Sequence, residues 1–151
     1  MADGRGLVAA LALGAEGAIF GTRFIATPEA QAAPGYRDAL VRSNEADTMR
    51  TRAYTGKPAR TIRTAYAEEW ETHPGDIKPF PFQAMTSIQN QAMDYPGLGE
   101  SFDPARTFMP AGQGVGLIHE IKPAGEVVRD IVREAEAVIE KRFVAPSKKT
   151  V

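Results

Sequence analysis

The chain has no cysteine, so disulfides, thiolate nucleophiles and cysteine metal sites are all excluded. A cysteine-free chain fits the cytoplasm, where we expect it to reside. Charge of one sign is also missing: the formal net charge is −1, which gives no field favouring nucleic acid or an anionic membrane. Arg50, Arg52, Lys57, Arg60 and Arg63 do form a basic cluster. Tyr54 and Tyr66 are too few to build a stacking platform beside it, so it reads as one solvated face of a hairpin. Long apolar runs are lacking as well. Residues 7–13 are far short of the roughly 20 residues that cross a bilayer. They resemble the core of a secretory signal, but Asp3 offsets Arg5 and Glu16 interrupts the apolar continuation, so a helix is the better reading. The two histidines, His73 and His119, have no second histidine at metal-ligand spacing, and no metal site is expected. Both read as surface residues.

What is present suits one α/β domain, or part of one. Residues 4–13 are small and apolar, predicting a helix closed by Gly14. Residues 17–21 are apolar on both faces, the pattern of a buried parallel strand. Thr27-Pro28-Glu29 has the chemistry of a helix start, with a break expected at Pro34-Gly35 and a second helix over 36–42. Residues 47–64 alternate polar and apolar around Thr55-Gly56-Lys57-Pro58, predicting a hairpin. Helices follow over 65–72 and 82–93, the latter with Phe82, Met85, Ile88 and Met93 as its apolar positions. Residues 73–81 and 94–110 read as irregular. From Pro123 and Glu126 onward, Val127, Val128, Ile131, Val132, Ala135, Val138 and Ile139 share a helical stripe. Residues 144–151 are expected to fray.

The candidate chemistry lies at the end of the predicted strand. At Gly21 no side chain keeps a ligand from the backbone, and Thr22 adds a hydroxyl where a helical turn begins, which suits a phosphate. Arg23 beside them reads as solvated. Gly112-Gln113-Gly114-Val115-Gly116 is not a dinucleotide fingerprint, because its third glycine comes one residue early and no strand precedes it. Thr55-Gly56-Lys57-Pro58 likewise fails as a phosphate loop, since Pro58 replaces the required hydroxyl residue.

Several stretches together resemble the nitronate monooxygenase (2-nitropropane dioxygenase) family. They are Ala2-Asp3-Gly4-Arg5-Gly6, Ala10-Leu11-Ala12-Leu13-Gly14-Ala15, Ile19-Phe20-Gly21-Thr22-Arg23-Phe24, Thr55-Gly56-Lys57-Pro58-Ala59-Arg60 and the segment 111–118. They fall in the family's order, and the resemblance covers its C-terminal half only. It implies an α/β fold, the last helix–strand units of a TIM (β/α)8 barrel with helical and hairpin additions, spanning 1–151. It also implies FMN as cofactor, with the phosphate near strands seven and eight. Carried over by position, Ile19, Phe20, Gly21 and Thr22 contact the FMN phosphate, Asp3 and Gly4 flank it, and Gln113 and Gly114 approach the flavin. The implied chemistry is oxidation of small alkyl nitronates with oxygen. A barrel needs about 250 residues, so the first strands and the family's histidine base have no counterpart here, and no catalytic residue is assigned. The implied partner is the other part of the barrel or a second copy. Flavin-dependent enoyl reductases share a similar Ala-Gly-Gln segment and form an alternative, as does a non-catalytic interaction module.

Overall fold

The computed structural model describes residues 1–93 and 102–143. The expected loop over 94–110 is thus described only from Phe102, and the expected fraying at 144–151 lies outside these residues.

Helix α1 (Gly4–Ala12) starts where the Asp3 side chain accepts the Gly6 N–H at 2.9 Å. It ends in a glycine turn, with Gly14 at φ +93°, Gly14 N–H donating to Leu11 and Ala15 N–H to Ala10. These paired bonds close a helix end at the one residue type that takes this backbone freely. The long helix α6 (Ala124–Arg142) packs along α1 and buries Val127, Ile131 and Ala135. Gly4 sits directly on its backbone: a Cβ there would lie 2.5 Å from Ala135 N and 2.5 Å from Ile131 O. The other half of the predicted stripe differs. Val128 and Val132 are 50% and 45% exposed, so the buried seam is narrower than the apolar face.

The predicted strand over 17–21 does not form; residues 15–20 are coil. Ile19 is 93% exposed, and Ala18, Ile19 and Phe20 exchange no main-chain hydrogen bond with any described residue. A parallel strand exists only through neighbours, and the two strands among the described residues pair with each other instead. The short turn α2 (Thr22–Ile25) follows. Thr27-Pro28-Glu29 starts no helix. The Thr27 hydroxyl turns back to the Phe24 carbonyl at 2.8 Å, and residues 28–29 form a turn. The second expected helix forms as α3 (Pro34–Arg42), starting two residues earlier than expected, at the proline itself, because the missing N–H costs nothing in a first turn.

Strands β1 (Thr48–Thr51) and β2 (Ala59–Ile62) make the expected hairpin, antiparallel with Arg50 opposite Arg60. Its turn requires Gly56, which has φ +79° and lies where a Cβ would meet the Lys78 carbonyl at 2.4 Å. Helix α4 (Ala65–Thr72) is capped by Thr64, whose hydroxyl accepts the Ala67 N–H. Helix α5 (Phe82–Gln89) reverses its predicted facing: Phe82 and Met85 are exposed, and Gln83 and Ser87 are buried. Burying those two polar side chains is affordable because each is satisfied. Gln83 donates to the Ala53 carbonyl at 2.6 Å and accepts the Lys78 N–H, while Ser87 bonds Tyr66.

Two cores result. One gathers Ala2, Ala26, Leu40, Ile62, Met109, Ala111, Val115 and Ile118. The other surrounds Tyr54, which stacks on Phe108 at 4.4 Å and tilts against Tyr66 at 5.3 Å. The first core positions the candidate site. Among the described residues no helix is long and apolar enough to cross a membrane, and no group of acidic or histidine side chains is arranged to hold a metal.

Candidate functional site

Three segments meet at the edge of the first core: the residues before α1, the start of α2, and a 3-10 turn over Gln113–Leu117. At α2, the N–H groups of Gly21, Thr22 and Arg23 donate to no acceptor among the described residues, as the first amides of a helical turn do. Gly21 is exposed, with open space where a Cβ would project. The Thr22 hydroxyl oxygen accepts the Gly112 N–H at 3.0 Å. Its own proton is therefore left to donate outward. Unpartnered amides and a hydroxyl on adjoining residues, beside a glycine with open space at its Cβ position, are groups that could hold a phosphate.

The residues carried over from the resemblance separate into two groups. Gly21, Thr22 and the glycine turn come together, and Gly114 also packs on Met1, where a Cβ would lie 3.3 Å from its nitrogen. Gln113 is exposed beside them and Ile19 and Phe20 lead in as coil. Asp3 and Gly4 are engaged elsewhere. The Gly4 N–H donates to Glu134 Oε2 at 2.8 Å, and the Asp3 carboxylate binds the Gly6 N–H and the Arg5 guanidinium. Burial pushes the Asp3 carboxyl up, but the Gly6 N–H and Arg5 outweigh it and hold it below its ordinary value.

Arg23 is neither solvated nor aimed at the open space. It is buried and donates to the Glu120 carbonyl at 3.0 Å, facing a crevice of about 180 Å³ toward α6. Burial lowers its pKa, and the nearby acids Glu120 and Asp130 oppose that shift. In the same crevice Lys122 bridges Glu120 at 2.6 Å and Asp130 at 2.7 Å. His119 lines this crevice, and His73 pairs through Nδ1 with the Thr72 hydroxyl. Among the described residues, neither histidine forms a hydrogen bond with Gly21 or Thr22.

The residues that hold the glycine turn in place were not singled out from sequence. Met109 accepts the Ile62 N–H at 2.9 Å and pairs doubly with the Thr61 hydroxyl, and Ala111 N–H donates to the Arg60 carbonyl at 3.1 Å. Thr61 lay in the predicted hairpin, but only the docking of 109–111 alongside β2 reveals its part.

A family model for nitronate monooxygenase matches residues 1–134. Among curated relatives, the chain is 37% identical over 141 residues to a Mycobacterium tuberculosis protein named as monooxygenase Rv1533, covering 89% of this chain and 36% of that protein. It is 35% identical over 139 residues to a Staphylococcus aureus protein named as a nitronate monooxygenase, covering 91% and 38%. The chain thus spans little more than a third of the length of these relatives. Among solved structures, FabK from Thermotoga maritima superposes with a TM-score of 0.75 at 37% identity, over 93% of this chain and 43% of that one. Nitroalkane oxidase from Streptomyces ansochromogenes superposes at 0.77 with 28% identity, over 93% and 39%. With the family model matching most of its length and the resemblance of its glycine and alanine segments running in the same order, this chain belongs to the nitronate monooxygenase family.

Proposed function

We propose that this chain is the phosphate-binding portion of an FMN-dependent oxidoreductase built on a TIM barrel, acting on alkyl nitronates with oxygen. The observation that carries the reading is the open set of Gly21, Thr22 and Arg23 amides beside a Thr22 hydroxyl whose oxygen already accepts the Gly112 N–H. In this reading Gly21 and Thr22 donate to the phosphate, Ile19 and Phe20 bring the backbone to it, and Gln113 and Gly114 border the flavin. Asp3 and Gly4 shape the neighbouring helix start, since their polar groups are engaged there. Bound flavin supplies the redox chemistry; this chain's residues bind and orient it. Residues 15–20 take strand form when flanking parallel strands are supplied, as by a polypeptide corresponding to the part of the relatives that this chain does not match.

The test is a fluorescence titration of FMN with the full chain, alone and together with that complementing polypeptide from a relative. Weak binding alone, strong binding and nitronate turnover in the mixture, and loss of binding in Thr22→Val are the expected results. Absence of flavin binding in both conditions overturns the reading, as does Thr22→Val binding as well as the parent.

The exposure of Leu13 at 90% and Ile19 at 93% favours one other reading, an interaction module that self-associates without catalysis. Sedimentation at several concentrations separates the two, since this module forms homo-oligomers even when the complementing polypeptide is present.

A further inference from the structure

Pro110 and Ala111 share a peptide group that is gripped from both sides. Its N–H, on Ala111, donates to the Arg60 carbonyl of β2 at 3.1 Å. Its carbonyl, on Pro110, accepts the Tyr36 hydroxyl of α3. The next amide along the chain is Gly112, whose N–H holds the Thr22 hydroxyl oxygen. Two successive peptide groups, joined at the Ala111 Cα, therefore lie between α3 and the Thr22 hydroxyl at the start of α2.

We propose that Tyr36 is a positioning residue of this site: by fixing the Pro110 carbonyl it aims the Gly112 N–H at Thr22, and so turns the Thr22 proton toward a bound phosphate. The proposal rests on the phosphate role given above to Thr22. Three observations support it. The Tyr36 ring packs against the first core, so the hydroxyl has a defined direction. Burial raises its pKa, so the phenol keeps the proton it donates. Proline offers no N–H of its own, which leaves its carbonyl as the handle on that residue's main chain. With the Arg60 bond alone this peptide is held at its N–H end and can rock about that bond, changing the Ala111 φ and ψ that aim the Gly112 N–H. Tyr36 removes that freedom.

The test uses the full chain and has two arms. Hydrogen exchange by NMR reads the Gly112 amide without any ligand. Tyr36→Phe, which keeps the ring, is expected to speed exchange at Gly112 about tenfold while α6 amides are unchanged. Thr22→Val, which leaves Tyr36 in place, is expected to speed it at least as much. The second arm titrates inorganic phosphate and follows the Gly21 and Thr22 amide shifts. Here Tyr36→Phe weakens binding severalfold, and in a Thr22→Val background the same change has no further effect. Unchanged Gly112 exchange in Tyr36→Phe overturns the proposal, as does exchange that is already unprotected in the parent. Protected exchange lost in both variants, without phosphate binding in the parent, supports the Tyr36 linkage and overturns the phosphate reading instead.

Discussion

Residues 15–20 and the segment 109–111 are both short, largely apolar and outside the named strands, yet only one is held. The segment 109–111 lies along β2, with Met109 2% exposed and its main chain bonded to Ile62 and Thr61. Residues 18–20 have comparable side chains and no main-chain partner among the described residues. The difference lies outside both stretches. Extended backbone is stabilised by what it pairs with, and each unpaired N–H and C=O must remain facing solvent. The glycine turn therefore has a fixed place in the fold, while the coil before α2 keeps its polar main chain open.

The largest test of this contrast is at Gly4, the tightest contact of the α1–α6 pair. Gly4→Val places carbon against the Ala135 and Ile131 backbone and should cost about 3 kcal/mol, read as a lowered urea midpoint. Next comes Thr61→Val. It leaves the buried Met109 N–H without its acceptor and should cost about 2 kcal/mol by the same measurement. Acid sensitivity gives a smaller effect. Because the Asp3 carboxyl is held below its ordinary value in the fold, its stabilisation is present above about pH 4 and is lost as pH falls through the folded value. Asp3→Asn retains a capping side chain but not the charge, so it should lower the melting temperature modestly at pH 7 and converge with the parent at acid pH, giving a flatter fall. The smallest effect on stability is expected for Ile19→Glu, within about 0.5 kcal/mol, with reduced self-association in sedimentation. A large loss of stability there would break the contrast, since it would mean that the coil is packed after all.

Local chemistry made much of this fold legible. The Gly14 end of α1, the hairpin with its Gly56 turn and the span of α4 follow from residues adjacent in sequence. The errors are non-local. Residues 17–21 carry the pattern of a strand but not the neighbours that make one. Gln83 and Ser87 were invisible as core residues, because what admits them is the Ala53 carbonyl some 30 positions away. Arg23 was read as solvated because nothing beside it in sequence announces the Glu120 carbonyl. The candidate site divides the same way. Gly21-Thr22 stood out by composition, whereas its bond to Gly112 spans 90 positions and emerges only from the fold.

The bond from the Gly4 amide to Glu134 joins residues 130 positions apart, and it sets an order on how the chain acquires its shape. Helix α1 leaves the ribosome well before its packing surface and one of its caps, which arrive with α6. At roughly 5–20 residues per second, α1 waits for several seconds as an unsupported nine-residue helix, below the length that persists alone in water. A ribosome-stalled chain halted before α6 emerges should therefore show a protease-sensitive α1 and a protected hairpin, so that α1 becomes resistant only after the hairpin that follows it.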